Sequence, residues 1–426
     1  MKRIFSIILS LIGISMIFAS CEDKYTEEYY ELQPVYLSYA DFRQSVKITS
    51  GHDLEKPGKI YNWNQWIFIN ELTEGIHIYD NSNPTSPQYK GFITIPGNVD
   101  IAIQNNIMYA DSYIDLVAID LSDMSNIKEV GRAKSVFTYS VPAYESGYRL
   151  GKIDDTQGVV VDWTVKKVRK ETEHIDYPVY PLYYAEKFSD FASLNAAANG
   201  TSSAAAVSGV GGSMARFGLT GNNLLSVDNS SYYCFDLSNP STPTLKYKNY
   251  IGWNVETMFL YGARMFLGTS TGMLVYDITN TSSPTYISNF WHITGCDPVV
   301  VQNNKAYVTI RGGNICGGTT NRLDVLDITN ISSIGLIRSY NMESPYGLGI
   351  DDELLFLCDG KAGLKIYTIS DPYLIAENMI AKFSDIHAYD AIPLGSSLLL
   401  IGDDGFYQYD YTNLTNIKQI SAIKVK

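Results

Sequence analysis

An all-β fold assembled from repeated four-stranded units is what the sequence predicts, on three observations. A short apolar segment recurs at a spacing near forty residues. Each period holds several strand-like runs divided by turns rich in Asn, Asp and Gly. The composition, 45% apolar with 33 Gly and 33 Tyr in 426 residues, provides for a large core without long helices.

The repeat comes first because a fixed period decides the architecture. Seven segments share one template: an alternating apolar pentad, one further residue, Ser or Thr, Asn or Asp, and Pro or Ile four residues later. They are Ile76–Asp80, Leu116–Asp120, Tyr232–Asp236, Met273–Asp277, Leu323–Asp327, Leu364–Thr368 and Phe406–Asp410. The last residues of successive pentads are separated by 40, 116, 41, 50, 41 and 42 positions, so two intervals carry insertions. Val159–Asp162 lies 42 residues after Asp120 but lacks the template's later positions, and Val165 and Arg169 stand there instead. Seven units are therefore expected, with an eighth left open through that segment.

Within a unit the remaining runs read as short strands. In the fifth they are Pro298–Val301, Ala306–Ile310, Leu323–Asp327 and Gly335–Tyr340, with Asn303-Asn304 as a tight turn. Four antiparallel strands per period, repeated seven times, predict a β-propeller with the pentad as third strand. The Asp that closes each pentad is expected to set the following turn through bonds to nearby backbone.

These residues resemble the LVIVD-repeat proteins, named for such a pentad. The resemblance covers most of the chain beyond residue 20. It is strongest at Cys296-Asp297-Pro298-Val299-Val300-Val301, at Cys316-Gly317-Gly318 with Asn321 and Leu323–Asp327, and at Gly212–Phe217. Cys358-Asp359-Gly360 leading to Gly363–Ile366 is similar. The resemblance implies a propeller and a secreted or surface lipoprotein, and brings no catalytic residues with it. Thr368, where the pentad lacks its Asp, should soften one turn only.

The first twenty residues have a basic start at Lys2-Arg3, an apolar run from Ile4 to Phe18 and the small pair Ala19-Ser20 before Cys21. The run is too short for a spanning helix and reads as a signal peptide with Cys21 as the lipidated residue. Residues 21–34 then read as an acidic, flexible tether, and 35–426 as the propeller with an insertion at about 131–213. The expected location is the outer membrane of a Gram-negative bacterium, periplasmic or surface-exposed, held by the lipid. The formal charge is −13, and becomes −15 once Lys2 and Arg3 are removed with the signal. That sign disfavours nucleic acid, whose phosphates need a basic surface.

In an antiparallel meander of strands A to D, the B–C and D–A connections share one face and the A–B and C–D connections the other. The insertion at 311–322 lies between B and C, and the insertion at 131–213 lies between D and A. Both decorate the same face. Its rim should hold Arg216, Glu256, Asp297, Tyr346 and Tyr389, which makes it the expected binding face. That the loops merely cap the channel stays open.

Tyr139, Tyr144, Tyr148, Trp163, His174, Tyr177, Tyr180, Tyr183 and Tyr184 enrich the longer insertion in flat amphipathic rings. They suit a sugar or a protein partner, or the insertion's own small core. Cys296 and Cys316 fall on the same face and are expected to form a disulfide, whereas Cys234 and Cys358 lie in strands as buried apolar residues.

The five histidines show no ligand spacing, so no metal or other cofactor is expected, and calcium at an Asx-rich turn is the one cation left open. No phosphate-cradling loop, dinucleotide fingerprint or nucleophile elbow occurs. The favoured function is a non-catalytic module that binds a glycan or an outer-membrane or surface protein. The alternative is a propeller glycoside hydrolase or lyase using Glu256 and Asp297.

Overall fold

The computed structural model describes residues 25–144, 147–172, 185–186, 210–213, 215–252, 254–292, 295, 298–313 and 318–426. Among them, seven antiparallel four-stranded meanders succeed one another at 57–94, 101–133, 217–250, 255–291, 299–341, 348–383 and 388–424, numbered here as blades 1 to 7. Each blade is one continuous stretch of chain, with strands A to D in sequence order.

The strands are short because both faces are buried. Strand C of blade 1, Gly75–Asp80, buries its first five residues. Strand C of blade 7, Gly405–Asp410, does the same. An apolar cluster fills every junction. Phe68 and Ile78 meet Met108 and Ile119 between blades 1 and 2. Leu225 and Cys234 meet Met258 and Met265 between blades 3 and 4. Phe356 and Cys358 meet Leu400 and Tyr407 between blades 6 and 7. Cys234 and Cys358 are both buried free thiols. At 25 cal/mol per Å², each such large side chain contributes roughly 1.5–3 kcal/mol. The turns follow the sequence too: Asn105-Asn106 and Asn303-Asn304 join A to B with positive φ at both residues, which Asn tolerates.

Two features recur in strands C and D. Every blade has a bulge in the C–D pairing just before the end of C, for example between Ile78 and Tyr79 and between Val325 and Leu326. The bulge gives strand D one extra residue and adds twist to this outer edge, which in blade 1 is further covered by Lys47–Thr49 pairing with strand D. A glycine also begins strand C or directly precedes it in several blades. A Cβ on Gly363 (φ 87°) would stand 1.8 Å from Phe383 O, and on Gly405 (φ 139°) 2.2 Å from Ile423 O.

Leaving strand C, the chain makes two consecutive Asx turns. The pentad Asp accepts the N–H two residues on: Ser82 to Asp80 at 3.0 Å, Ser122 to Asp120, Ser238 to Asp236, Thr279 to Asp277, Thr329 to Asp327 and Thr412 to Asp410. The following Asn or Asp does likewise, as in Thr85 to Asn83 at 3.2 Å and Tyr373 to Asp371 at 2.8 Å. The hydroxyl of the Ser or Thr two residues after the pentad Asp, and then its backbone N–H, hold the Asp80, Asp120, Asp277, Asp327 and Asp410 carboxyls below the usual range. In blade 6, where Thr368 replaces the Asp, the second turn at Asp371 remains.

The carbonyl after the second Asx residue is where the preceding blade attaches. Tyr109 donates to Pro240 O at 3.0 Å, Tyr232 to Thr281 O at 2.8 Å, Ser288 to Ile331 O at 2.5 Å and Tyr340 to Pro372 O at 2.7 Å. Gln408 of blade 7 donates to Pro84 O of blade 1 at 3.2 Å and exchanges amide hydrogen bonds with Asn81 at 2.8 and 2.9 Å. Five of the seven junctions carry this bond.

Blades 7 and 1 meet without exchanging a strand. Ile60, Ile67 and Ile69 pack against Leu399, Ile401 and Phe406. Lys426 N–H donates to Leu54 O at 3.1 Å, so the C-terminus lies beside the chain that leads into blade 1.

The N-terminal region departs from expectation. Tyr25–Leu37 is a 13-residue strand, not a free tether, and blade 1 begins at Pro57 rather than near residue 35. The strand pairs antiparallel with Val159–Thr172 of the insertion, and Glu31-Leu32 also pairs parallel with Arg149-Leu150. Its acids find basic partners: Glu27 with Arg149, and Glu28 with Lys167 at 2.8 Å and Arg169 at 3.8 Å. Acidic composition suggested solvation because the basic partner strand lies over a hundred residues away. Val159–Asp162 thus belongs to this ribbon and forms no eighth blade. The ribbon packs its base on Phe42 and Ile114, and Arg43 binds Asp115 of blade 2 at 2.9 Å. Residues 1–20 and Cys21 lie outside the described residues.

Replacing Tyr340 by Phe removes the donor to Pro372 O and the acceptor for Ile375 N–H at 3.1 Å. We expect a loss of about 1–3 kcal/mol in unfolding free energy, measured by denaturant titration. Tyr373→Phe, at a ring 57% exposed, should change it little.

Candidate binding face

The B–C and D–A connections place Glu343–Tyr346, Asp359–Ala362, His387 and Asp403 on one face of blades 6 and 7. Tyr346 and Tyr389 lead into strands A of these blades, with ring centroids 4.9 Å apart. The Arg311 guanidinium sits over the other neighbour of this pair, 4.1 Å from the Tyr346 centroid. His387 stands 4.9 Å from Tyr389 and 6.1 Å from Tyr346, and its Nδ1 is 2.5 Å from Asp403 Oδ2. Burial, then the Asp403 charge, pushes the Tyr389 hydroxyl far above its ordinary value.

Beside this cluster lies a half-open cavity of about 330 Å³, walled by Tyr346, His387 and Ala362 and rimmed by Glu343, Ser344 and Lys361. Asp359 builds its floor. Fully buried, it accepts Ser344 N–H at 2.6 Å, Glu343 N–H at 3.1 Å and Lys365 Nζ at 2.5 Å. It therefore fixes the D–A loop and leaves the exposed groups of Glu343 and Lys361 to solvent. The cavity is polar at the rim and aromatic at the wall, and so presents both donors and acceptors.

Of the residues expected on the rim, Tyr346 and Tyr389 come together, but as buried rings 9% and 6% exposed. Glu256 and Tyr389 are each the extra residue of a bulge at the start of strand A, in blades 4 and 7. Glu256 is part-buried. Arg216 turns up across the channel, its N–H donating to Asp100 Oδ2 at 2.6 Å. Asp297, Cys296 and Cys316 lie outside the described residues, as do the carboxylate pair and the disulfide that depend on them. Among the insertion's rings, Tyr139 donates to Gly158 O at 3.0 Å and Trp163 packs edge-on against Tyr144 at 5.7 Å. These described rings pad the insertion's own core. His174, Tyr177, Tyr180, Tyr183 and Tyr184 are outside the described residues.

Glu343, Lys361, Lys365, His387 and Asp403 were not singled out by sequence reasoning. Their signal was position only, because each sits in or beside a B–C or D–A connection, and Asp403 reads as a plain hairpin turn.

Residues 210–213 and 215–216 cross the channel. Val210-Gly211 adds a strand to the inner edge of blade 1, antiparallel to Pro57–Trp63. Ser213 Oγ then accepts Leu348 N–H of blade 6 at 2.8 Å, and Ala215 O accepts Met258 N–H of blade 4 at 2.7 Å. Lys59 and Asp100 form a buried ion pair at 2.7 Å beside this segment. Burial lowers the Lys59 ammonium, against the opposing pull of Asp100. Asp390 is fully buried near the Ser213 and Ala391 N–H groups, with no hydrogen bond of good geometry among the described residues. Burial pushes its carboxyl well above the usual carboxylate range.

Comparison with known proteins follows this architecture. The family model for the LVIVD repeat matches residues 98–134, 226–250 and 299–342, within blades 2, 3 and 5. Three of the seven blades of this β-propeller carry LVIVD repeats. Among solved structures this propeller is similar to Sqt1 of Saccharomyces cerevisiae, at 8% identity and TM-score 0.48 over 89% of both chains. It is similar as well to the periplasmic gluconolactonase PpgL of Pseudomonas aeruginosa, at 9% identity and TM-score 0.49, over 87% of this chain and 96% of that one. Hsv2 of Kluyveromyces lactis matches at 9% identity and TM-score 0.47, over 87% and 100%. Likeness this distant says nothing about activity. No curated protein matches the chain significantly.

Asp390 makes a pH prediction. Its folded-state pKa is raised, so the folded chain binds the proton more tightly than the unfolded one, and the stability this provides is lost as pH rises from the ordinary carboxylate range. Asp390→Asn removes that cost. The variant should melt higher than the parent at pH 7, and the gain should shrink to nothing as pH falls below about 4.

Proposed function

We propose that this propeller is a lipid-anchored, non-catalytic module of the outer membrane that binds a glycan in the cavity between blades 6 and 7. The cavity carries the reading. Its 330 Å³ suits one or two sugar rings, and its rim mixes the carboxylate of Glu343, the hydroxyl of Ser344 and the ammonium of Lys361. A neutral polyol is recognised by such alternating donors and acceptors. Because Tyr346 and Tyr389 cover one another, His387 is the ring left for a sugar face to stack on. The acids near the cavity are already engaged: Asp359 holds backbone N–H groups, and Glu343 lies 3.6 Å from Lys365 and 3.7 Å from Lys382. That favours holding a ligand over cleaving it.

Lipidation at Cys21 gives the ribbon a role. Three residues separate Cys21 from Tyr25, a reach of about 14 Å when extended. The 13-residue strand then adds about 43 Å of paired ribbon between membrane and blade 2. It would act as a stiff spacer.

The lipid-free chain, Glu22 to Lys426, should be run over immobilised host and bacterial polysaccharides with retention and fragment release recorded together. Retention without release is expected, weakened about fivefold or more by Lys361→Ala or Glu343→Ala. Fragment release would replace this reading with the hydrolase or lyase one, and no retention by any glycan would redirect the search to surface proteins. In cells, the full chain should fractionate with membranes and Cys21→Ala with the soluble fraction. An unchanged membrane fraction in Cys21→Ala would refute the lipid anchor.

A further inference from the structure

His52, Glu71 and His77 come together where the chain enters the ring. Glu71 ends strand B of blade 1, His77 lies within strand C, and His52 belongs to the segment leading into strand A. One ligand atom from each lies within 4.8 Å of the others. Glu71 and His77 are fully buried and the His52 side chain is 37% exposed, so the cluster has a closed back and an open front.

His77 is under-used for a buried imidazole. Its Nε2 meets Glu71 Oε2 at 3.0 Å, while its Nδ1 is buried with no hydrogen-bond partner among the described residues. The ring is otherwise held by aromatic neighbours, Phe92 at 4.7 Å and His52 at 5.3 Å. At the front, His52 Nε2 lies 3.4 Å from Glu74 Oε2.

We propose that His52, Glu71 and His77 bind one divalent transition-metal ion of the zinc class. Two imidazoles and a carboxylate with a fourth position facing solvent are a donor set that zinc takes, and Glu74 or water can complete it. Donors bonded to zinc at 2.0–2.1 Å stand about 3.4 Å apart in a tetrahedron. His77 Nε2 and Glu71 Oε2, 3.0 Å apart, lie near that spacing, and His52, whose Nδ1 is held 2.6 Å from Asp53 O, keeps its Nε2 as the third donor.

The ion would act on the seam of the ring. Glu71 accepts N–H groups from Glu55, at 3.2 Å, and from Lys56. The same stretch receives the C-terminus, through Lys426 N–H on Leu54 O and Lys426 Nζ 3.2 Å from Asp53. A metal joining His52 to strands B and C would therefore clamp the segment on which blades 7 and 1 close. Ligands drawn from three separate elements leave no sequence spacing to read.

The test uses the lipid-free chain without an affinity tag, stripped with chelator and titrated with Zn²⁺ by calorimetry and Co²⁺ by visible absorption. One ion per chain is expected, with the intense d–d bands of four-coordinate cobalt and a melting temperature that rises with Zn²⁺. His52→Ala changes an exposed side chain, so it should fold as before and bind at least about tenfold more weakly. His387→Ala, at the His387–Asp403 contact of blade 7, should bind zinc normally. Absence of saturable one-to-one binding, or parent-like affinity in His52→Ala, overturns the proposal.

Discussion

The bond from one blade to the carbonyl that follows the second Asx turn of the next is the contact on which the ring depends. A four-stranded meander is too small to be stable alone, and it buries its faces only by standing at a fixed angle to its neighbours. Apolar contact supplies the driving force but not the angle. The two Asx turns hold a backbone carbonyl outward at Pro84, Pro240, Thr281, Ile331 and Pro372, and a side chain of the preceding blade reaches each one. The donors differ, being Tyr, Ser or Gln from strands B, C or D. What repeats is the acceptor, because its position is set by backbone geometry alone.

This explains which parts of the fold were legible. The turns depend on residues two apart in sequence, so Asp80, Asp236 and Asp410 announce themselves with their Ser or Thr. The alternating pentads are legible for the same reason. The bulge that follows in strand D has no residue signature, since its extra position is Lys90 in blade 1, Lys246 in blade 3 and Ile287 in blade 4. The N-terminal strand was illegible because Glu27 and Glu28 look solvated until Arg149, Lys167 and Arg169 are brought beside them. The binding face was legible as a face, through the placement of its insertions, but not residue by residue. Tyr346 and Tyr389 were found because they lead into strands A, whereas His387 and Lys365 matter through neighbours that only the fold supplies.

Closure of the ring is the weak point of any propeller built from continuous blades. Where a strand is exchanged, backbone pairing locks the seam. Here the seam rests on an isoleucine-rich cluster, the Asn81–Gln408 amide pair and the contact of Lys426 with Leu54. The channel segment adds ties across the ring, since residues 210–217 bond in turn to blades 1, 2, 4 and 6. Asp390 shows the cost of that arrangement. Its carboxyl is buried beside the segment with no hydrogen bond of good geometry among the described residues, and a structure that keeps such a group must gain its stability elsewhere.

The two faces of the ring are consequently not equivalent. On the A–B and C–D side, the Asx turns commit their side chains and carbonyls to joining the blades, so substitution there costs the ring itself. The opposite face carries no such duty. Its connections can lengthen, as between Arg311 and Asn321 or between Ala133 and Phe217, and can gather groups unrelated from blade to blade. The cavity beside His387 and the His52–Glu71–His77 cluster both lie on that side. Function concentrates there because the repeat leaves those loops free to vary.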